Sequence, residues 1–304
     1  MLSLDDFQKI KISDKKIFDG LYKKYPPFHS DYVFTTLISW MKYGNYKYAH
    51  YKDSIIISSE IDGILRLRPP IGKKNKDVLK EVLMLAKKLD AQYPLGVISS
   101  ETKKWISNVY PKLKFKSHRN FFDYVYRSSD LANLEGSDYR KIRNRLNKFK
   151  RKNEYIVEKI SEENIAEIKK FLKRWCLWKD CESDPVLKHE KKAIFYSVNN
   201  FFDLGLDGIF IRVNNEIEAI SIYESMNPST AVVHYEKGSP FYDGIYKAIN
   251  QETANILQNN FDFIDRESDM GISGLRKAKQ FYRPHHMIEV FHIDKDSIPS
   301  IDIK

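Results

Sequence analysis

The sequence predicts an α/β (α+β) protein of two tandem domains, each a mixed, mainly antiparallel sheet flanked by helices. Three observations lead there. Strand-like and helix-like segments recur in one order in both halves of the chain. A length of 304 residues suits two domains of about 150 residues each, and 42% hydrophobic residues are ample for two packed cores. Between Phe261 and Pro284 an alternating apolar strand runs into a glycine turn and then a short, densely charged helix.

In the first half, helices are expected at 15–24 and 31–40, strands at 46–51, 54–60 and 64–69, and a helix at 76–90. A short strand at 96–99, a helix near 102–110 and a strand ending at Tyr126 complete that half. The second half opens with an alternating strand at 155–160. Ser161 then begins a helix carrying Ile165, Ile168, Leu172 and Trp175 on one face. Asp184-Pro185 starts another, with proline in the first turn. Strands follow at 208–213, 216–224 and 230–236. Asn214-Asn215 makes a tight hairpin between the first two, and Asn227-Pro228 turns into the third. Asp243 is expected to cap a long helix through Leu257. A strand at 261–264, the charged helix and a last strand at 287–293 close the order. The domains are therefore placed at 1–127 and 155–304, joined by a basic helix at 128–154.

That joining segment has an apolar stripe of Tyr139, Ile142, Leu146 and Phe149, with Arg140, Arg143, Arg145 and Lys148 around the remainder. Such a helix can lie on a phosphate backbone or an anionic membrane. It can equally connect two domains with its bases solvated. The net charge of +10 favours polyanionic partners such as RNA, an anionic lipid surface or a phosphorylated cofactor, or else reflects lysines placed wherever solvent allows. No apolar run reaches the length of a membrane span, and the acidic N-terminus lacks a secretory core, so a cytoplasmic chain, peripheral to the membrane where it meets lipid, is expected. Cys176 and Cys181 are the only cysteines and lack partners for a metal site, so reduced thiols and no metal are expected.

The segment 265–284 carries Arg266, Glu267, Asp269, Gly271, Gly274, Leu275, Arg276, Ala278, Lys279, Tyr282 and Pro284. This pattern resembles the family of the phosphatidylglycerol lysyltransferase C-terminal catalytic domain, with Asp265 where that family usually has Asn. Phe122 to Tyr126, Lys141 to Arg145, and His234-Tyr235-Glu236-Lys237 resemble further blocks of the same family. The resemblance implies tandem GNAT-like acyltransferase folds and an acyl- or aminoacyl-transferase. Aminoacyl-tRNA or acyl-CoA would be the co-substrate, with no covalently bound cofactor, and a lipid headgroup, peptide or small amine the acceptor.

Acyl transfer needs a base and donors for a tetrahedral oxyanion. Glu236 and Glu267, at the ends of neighbouring strands, are the candidate bases. Lys279 is placed to neutralise developing charge and Tyr282 to protonate a leaving group. His234, Lys237, Arg266, Asp269 and Arg276 are the residues expected to hold substrate. The competing reading is a buried ion network of Arg266, Glu267, Asp269 and Lys279 that staples the charged helix to the sheet. Gly238, Asp243 and Gly244 lie where GNAT enzymes offer helix N-terminal amides to the pyrophosphate of coenzyme A. Phe241 and Tyr246 depart from the pattern usual there, which suits an aminoacyl-tRNA donor. Alternatives are an acyl-CoA-dependent N-acyltransferase and a non-catalytic binding protein. No phosphate-binding Walker loop, nucleophile elbow or His-Glu-x-x-His motif occurs.

Overall fold

The computed structural model describes residues 1–300. In chain order the strands are β1 (Gln8–Lys9), β2 (Lys47–Tyr51), β3 (Ser54–Ile61), β4 (Ile64–Leu67), β5 (Leu95–Ser99), β6 (Phe115–Ser117) and β7 (Asp123–Arg127). They continue with β8 (Tyr155–Lys159), β9 (Asp207–Val213), β10 (Glu216–Asn227), β11 (Thr230–Gly238), β12 (Phe263–Asp265), β13 (His286–Ile288) and β14 (Val290–Ile293). Two seven-stranded sheets form, ordered β1-β2-β3-β4-β5-β14-β6 and β13-β7-β12-β11-β10-β9-β8. Read from β8, the second order repeats the first. β4 runs parallel to β5, as β11 does to β12. The flanking ladders β3–β4, β10–β11, β5–β14 and β12–β7 are antiparallel. Helices Lys76–Lys88 and Ile245–Leu257 occupy equivalent crossovers, as helices Ser100–Val109 and Ser273–Phe281 occupy equivalent exits. The chain thus carries two tandem GNAT-like folds.

The compact units do not follow the linear division expected at 127 and 155. One comprises Met1–Phe122 with the described residues from Ile288 on, and the other is Asp123–Met287. Each sheet takes its sixth strand from the opposite half of the sequence: β14 lies between β5 and β6, and β7 between β12 and β13. The single last strand expected at 287–293 is two strands, β13 and β14, serving different sheets. Alternating apolar residues reveal that a strand is buried but not which strand it pairs with. Tyr124, Val125 and Tyr126 are each at most 1% exposed, so β7 needs cover on both faces, which an interior position provides. Residues 301–304, read as the end of the second domain, lie outside the described residues.

In the first unit, helix Lys76–Lys88 buries Val78, Leu79, Val82 and Leu83 against the sheet, and the Asn75 side chain caps it through the Asp77 and Val78 amides. In the second, helices Arg140–Lys152 and Ile245–Leu257 pack on one sheet face. Ile142, Leu146, Phe149, Ala248 and Ile249 meet Ile209, Ile211, Ala231 and Val233 there. The basic helix is therefore part of the second unit's core, with its apolar stripe buried as its spacing predicts. Local signals hold elsewhere. Asn214 and Asn215 both adopt left-handed φ, 50° and 66°, as a type I′ hairpin requires. Asp184 accepts from the Val186 and Leu187 amides at the start of helix Pro185–Asn199. Among the described residues no helix is long and apolar enough to cross a membrane.

The placement of β14 has a direct consequence. Ile293 is fully buried in the first unit's core, so Ile293→Ala should cost about 2–5 kcal/mol. Amide exchange should then accelerate in β5 and β6, its ladder partners, and leave β12 protected. Accelerated exchange in β12 with β5 unaffected would contradict the strand assignment.

Candidate active site

The site begins where β12 leaves the second sheet. Asp265 is fully buried, and its side chain accepts the Glu267 amide at 2.7 Å, an Asx-type turn at the strand exit. Burial, with the Asp123 carboxylate beside it, pushes the Asp265 carboxyl well above the usual range. Glu267, Met270 and Gly271 then adopt positive φ of 59°, 50° and 79°. For glutamate this conformation costs of order 1–3 kcal/mol and needs support from its surroundings.

Much of the charge in 265–284 supplies that support. Asp269 is fully buried and accepts from the Tyr124 hydroxyl at 2.6 Å, from Arg276 at 2.9 and 3.0 Å, and from the Gly271 amide at 2.8 Å. Burial opposes its ionisation, yet Arg276, Tyr124 and the Gly271 amide together hold its carboxyl at about 2. The Lys279 ammonium donates to the carbonyls of Arg266 and Glu267, and the Lys279 carbonyl accepts the Tyr126 hydroxyl at 2.8 Å. Asp269, Arg276 and Lys279 thus bind the bend itself. Of the roles expected for these three, the geometry matches the stapling network rather than contact with substrate.

Glu267 faces His234 across neighbouring strands. The imidazole lies between two carboxylates, 2.9 Å from Glu267 at Nδ1 and 2.8 Å from Glu224 at Nε2, with a side chain only 3% exposed. Burial alone would lower its pKa, but the two hydrogen-bonded carboxylates raise it to about 9. At neutral pH this is an imidazolium clamp across β10, β11 and the exit from β12. Glu224 carries no signal of its own in the sequence: its ladder partner is Val232, and its contact with the His234 ring depends on how the two strands pair.

A second cluster lies close by. The register of β11 on β10 skips His234: Val233 pairs with Tyr223, and Tyr235 with Ile222. This bulge interrupts the two-residue alternation, so Glu236 reaches the same helix as Val233. Glu236 accepts from Asn250 at 3.1 Å and pairs with Arg266. The Arg266 guanidinium lies between two aromatic rings, 5.8 Å from the Tyr126 centroid and 5.0 Å from that of Tyr282. Lys247 sits 4.5 Å from the Tyr282 centroid. Burial and the charges of Arg266 and Arg145 lower the Lys247 ammonium to about 8, with Glu236 opposing them. Burial raises the Tyr282 phenol far above its ordinary value. Arg266 Nη1 and Asn250 Oδ1 are buried without a hydrogen-bond partner among the described residues. A donor and an acceptor left open beside an ion pair invite a ligand group or a water.

Other candidates lie apart or serve structure. Lys237 pairs with Glu190 at 2.7 Å and sits over the Trp175 ring. Asp243 does not cap the helix; it pairs with Lys148 at 2.9 Å, and Gly244, at φ 98°, holds the N-cap position. A side chain at Gly244 would meet the Arg145 carbonyl at 2.7 Å, so the basic helix packs against this helix start. The Ile245, Lys247 and Ala248 amides donate to local carbonyls of Tyr242 and Gly244, and Gly238 packs on Ile245 and Tyr246. Arg143 holds the Leu134 and Gly136 carbonyls, and Arg140 is exposed. Arg145 instead joins Lys141, Asn144, Lys247, Lys277, Ala278 and Phe281 around an open cavity of about 620 Å³. Cys176 and Cys181 are free, buried neighbours, and burial with the second thiol pushes Cys176 up to about 12. Among the described residues no three His, Cys, Asp or Glu side chains gather as a metal site.

Two sheets of one strand order, each with a helix crossover between its parallel strands, have the tandem GNAT-like fold. The family model described as phosphatidylglycerol lysyltransferase, C-terminal, matches residues 22–293, and the chain belongs to that family. A conserved protein of unknown function from Bacteroides thetaiotaomicron is 29% identical with a TM-score of 0.87, the match covering 94% of this chain and 98% of that one. A C-terminal domain described as that of a lysylphosphatidylglycerol synthetase from Agrobacterium fabrum shares the fold at 11% identity and a TM-score of 0.65, covering 94% of each chain. The L-PGS structure from Bacillus licheniformis does so at 12% identity and 0.63, covering 93% of this chain and 92% of that one. No curated protein matches the chain.

The imidazolium clamp sets a pH dependence. The His234 pKa is raised on folding, so its stabilisation is complete below about 6.5 and is lost as pH rises through about 9. Unfolding free energy should therefore fall between pH 6.5 and 9, and His234→Gln should flatten that limb. An identical slope in the variant would show that the clamp is not charged.

Proposed function

We propose that the chain is an aminoacyltransferase, moving an aminoacyl group from aminoacyl-tRNA to a hydroxyl or amine, with phosphatidylglycerol the first acceptor to test. The observation that carries this reading is the buried Glu236–Arg266–Asn250 cluster, with its open donor and acceptor, next to Lys247 and the cavity. Family membership supports the reaction class. The choice of donor is supported by the start of helix Ile245–Leu257: several of its first amides are spent on local carbonyls and the basic helix packs on Gly244, an arrangement that suits a coenzyme A pyrophosphate poorly.

In this reading the acceptor oxygen or nitrogen attacks the aminoacyl ester carbon and gives its proton to Glu236. The free N–H of Arg266 stabilises the oxyanion that forms on the carbonyl oxygen. The C–O bond to the tRNA ribose then breaks, and the leaving oxygen takes a proton from Lys247, whose lowered pKa of about 8 suits proton donation near neutrality. Glu267 acts through His234 as part of the scaffold.

Glu236→Gln keeps shape but removes the base and one of its two acceptor oxygens, and should lower kcat by about 10²–10⁴. Glu267→Gln should instead cost about 1–3 kcal/mol of stability and change kcat less than tenfold. The assay uses charged tRNA and phosphatidylglycerol vesicles, with acetyl-CoA and small amines in parallel. Glu267→Gln abolishing transfer at unchanged stability would move the base to Glu267. Transfer from acetyl-CoA alone would establish the N-acyltransferase reading instead.

A further inference from the structure

We infer that the cavity between helices Arg140–Lys152 and Ser273–Phe281 is a binding site for a phosphate ester, with Arg145, Lys141, Lys277 and Lys247 as its anion cradle. The cavity holds about 620 Å³, room for a phosphate and several further atoms. Its lining contains four cationic side chains and no carboxylate.

Neighbouring bases on the same helix are matched within the protein. Lys148 is matched by Asp243 at 2.9 Å, and Lys150 by Gln251 at 2.9 Å and Glu252 at 3.5 Å. Arg143 is spent on two backbone carbonyls. Lys141, Arg145, Lys247 and Lys277, by contrast, make no ion pair within 4.0 Å among the described residues. Three separate helices bring these unmatched cations to one concave surface. Lys141 and Arg145 are four residues apart, one turn of the same face. Lys247 is half-buried at the floor, and its lowered pKa reflects burial together with the neighbouring cations. Like charges gathered without counter-charge repel, and an anion entering the cavity removes that repulsion.

The remaining lining refines the ligand class. Ala278 and Phe281 provide an apolar shoulder, and Asn144 an amide able to donate and accept. A bare phosphate would leave these unused, whereas an ester places its carbon skeleton against them. Lys247 shares the Tyr282 ring with Arg266, so the cradle adjoins the Glu236–Arg266 pair and rests in position, though not in chemistry, on the proposed transfer site. Binding alone tests it, whether or not transfer occurs.

The experiment is calorimetric titration of the intact protein with sn-glycerol 3-phosphate and with inorganic phosphate, beside flotation with phosphatidylglycerol-containing and phosphatidylcholine vesicles. Arg145→Gln combined with Lys277→Gln should weaken ester binding at least tenfold, and the exposed, ion-paired Lys74→Gln less than twofold. The ester should bind more tightly than inorganic phosphate. Free ester that binds without vesicle recruitment identifies a soluble ligand. Anionic vesicles that bind with the same variant ratio, and are displaced by the ester, identify a lipid headgroup. Equal binding by wild type and the double variant would overturn the site. So would cavity-dependent binding of a single-stranded RNA oligomer with which the ester does not compete, since that describes an extended polyanion track. If transfer fails while ester binding is lost in the variant, the transfer reading falls and the site stands.

Discussion

The buried Asp269 carboxylate is the constraint on which the second unit's site depends. It is the common acceptor for a tyrosine on β7, an arginine on the charged helix and an amide of the bend. Those bonds fix a backbone that passes through left-handed φ at Glu267, Met270 and Gly271. With Lys279 binding the carbonyls of Arg266 and Glu267 from the other side, the bend has little freedom left. Arg266 is thereby delivered to Glu236, and Glu267 to His234. Such a network gains little net stability from charges taken out of water, but removing one partner leaves another buried and unpaired. Its contribution is to specify a single geometry at the strand exit.

Charge in this chain is accordingly divided, residue by residue, between groups spent inside the protein and groups left open beside the site. Arg276 and Lys279 hold backbone and Asp269, while Arg266, just ahead of the bend that leads into the charged helix, faces a glutamate and two aromatic rings. On the basic helix, Arg143 caps neighbouring carbonyls and Lys148 meets Asp243, whereas Lys141 and Arg145 open onto a cavity. Density of charge in a motif therefore does not identify which residues meet a ligand. What distinguishes them is whether hydrogen-bonding capacity is spent within the protein.

Local sequence signals read well wherever the deciding interaction is local. Asn214-Asn215, Asp184-Pro185 and the stripe of Ile142, Leu146 and Phe149 act through neighbours within a turn or two, and each has the expected geometry. The tandem order of elements was legible for the same reason. Three features were not, because each depends on a distant residue. Val290 to Ile293 read as part of a last strand, but nothing local assigned them to the first sheet. The bulge at His234, which brings Glu236 to Asn250, is a property of pairing with β10. Lys247 carries no distinguishing signal in the sequence, and only the fold places it over Tyr282 beside Arg266. Asp243 met the usual rule for a cap, yet Lys148 reaches it and Gly244 takes the cap position.

The most direct test of this account is amide exchange across residues 265–272 in Asp269→Asn, with unfolding followed through acid. Asp269 is held near 2 in the folded state, so its stabilisation is complete above about pH 4 and is lost as pH falls toward 2. The substitution should make that acid limb shallower and raise exchange at Glu267 and Gly271, while the Asn214-Asn215 hairpin keeps its protection. An unchanged acid limb together with unchanged exchange in the bend would contradict the claim that Asp269 holds the site.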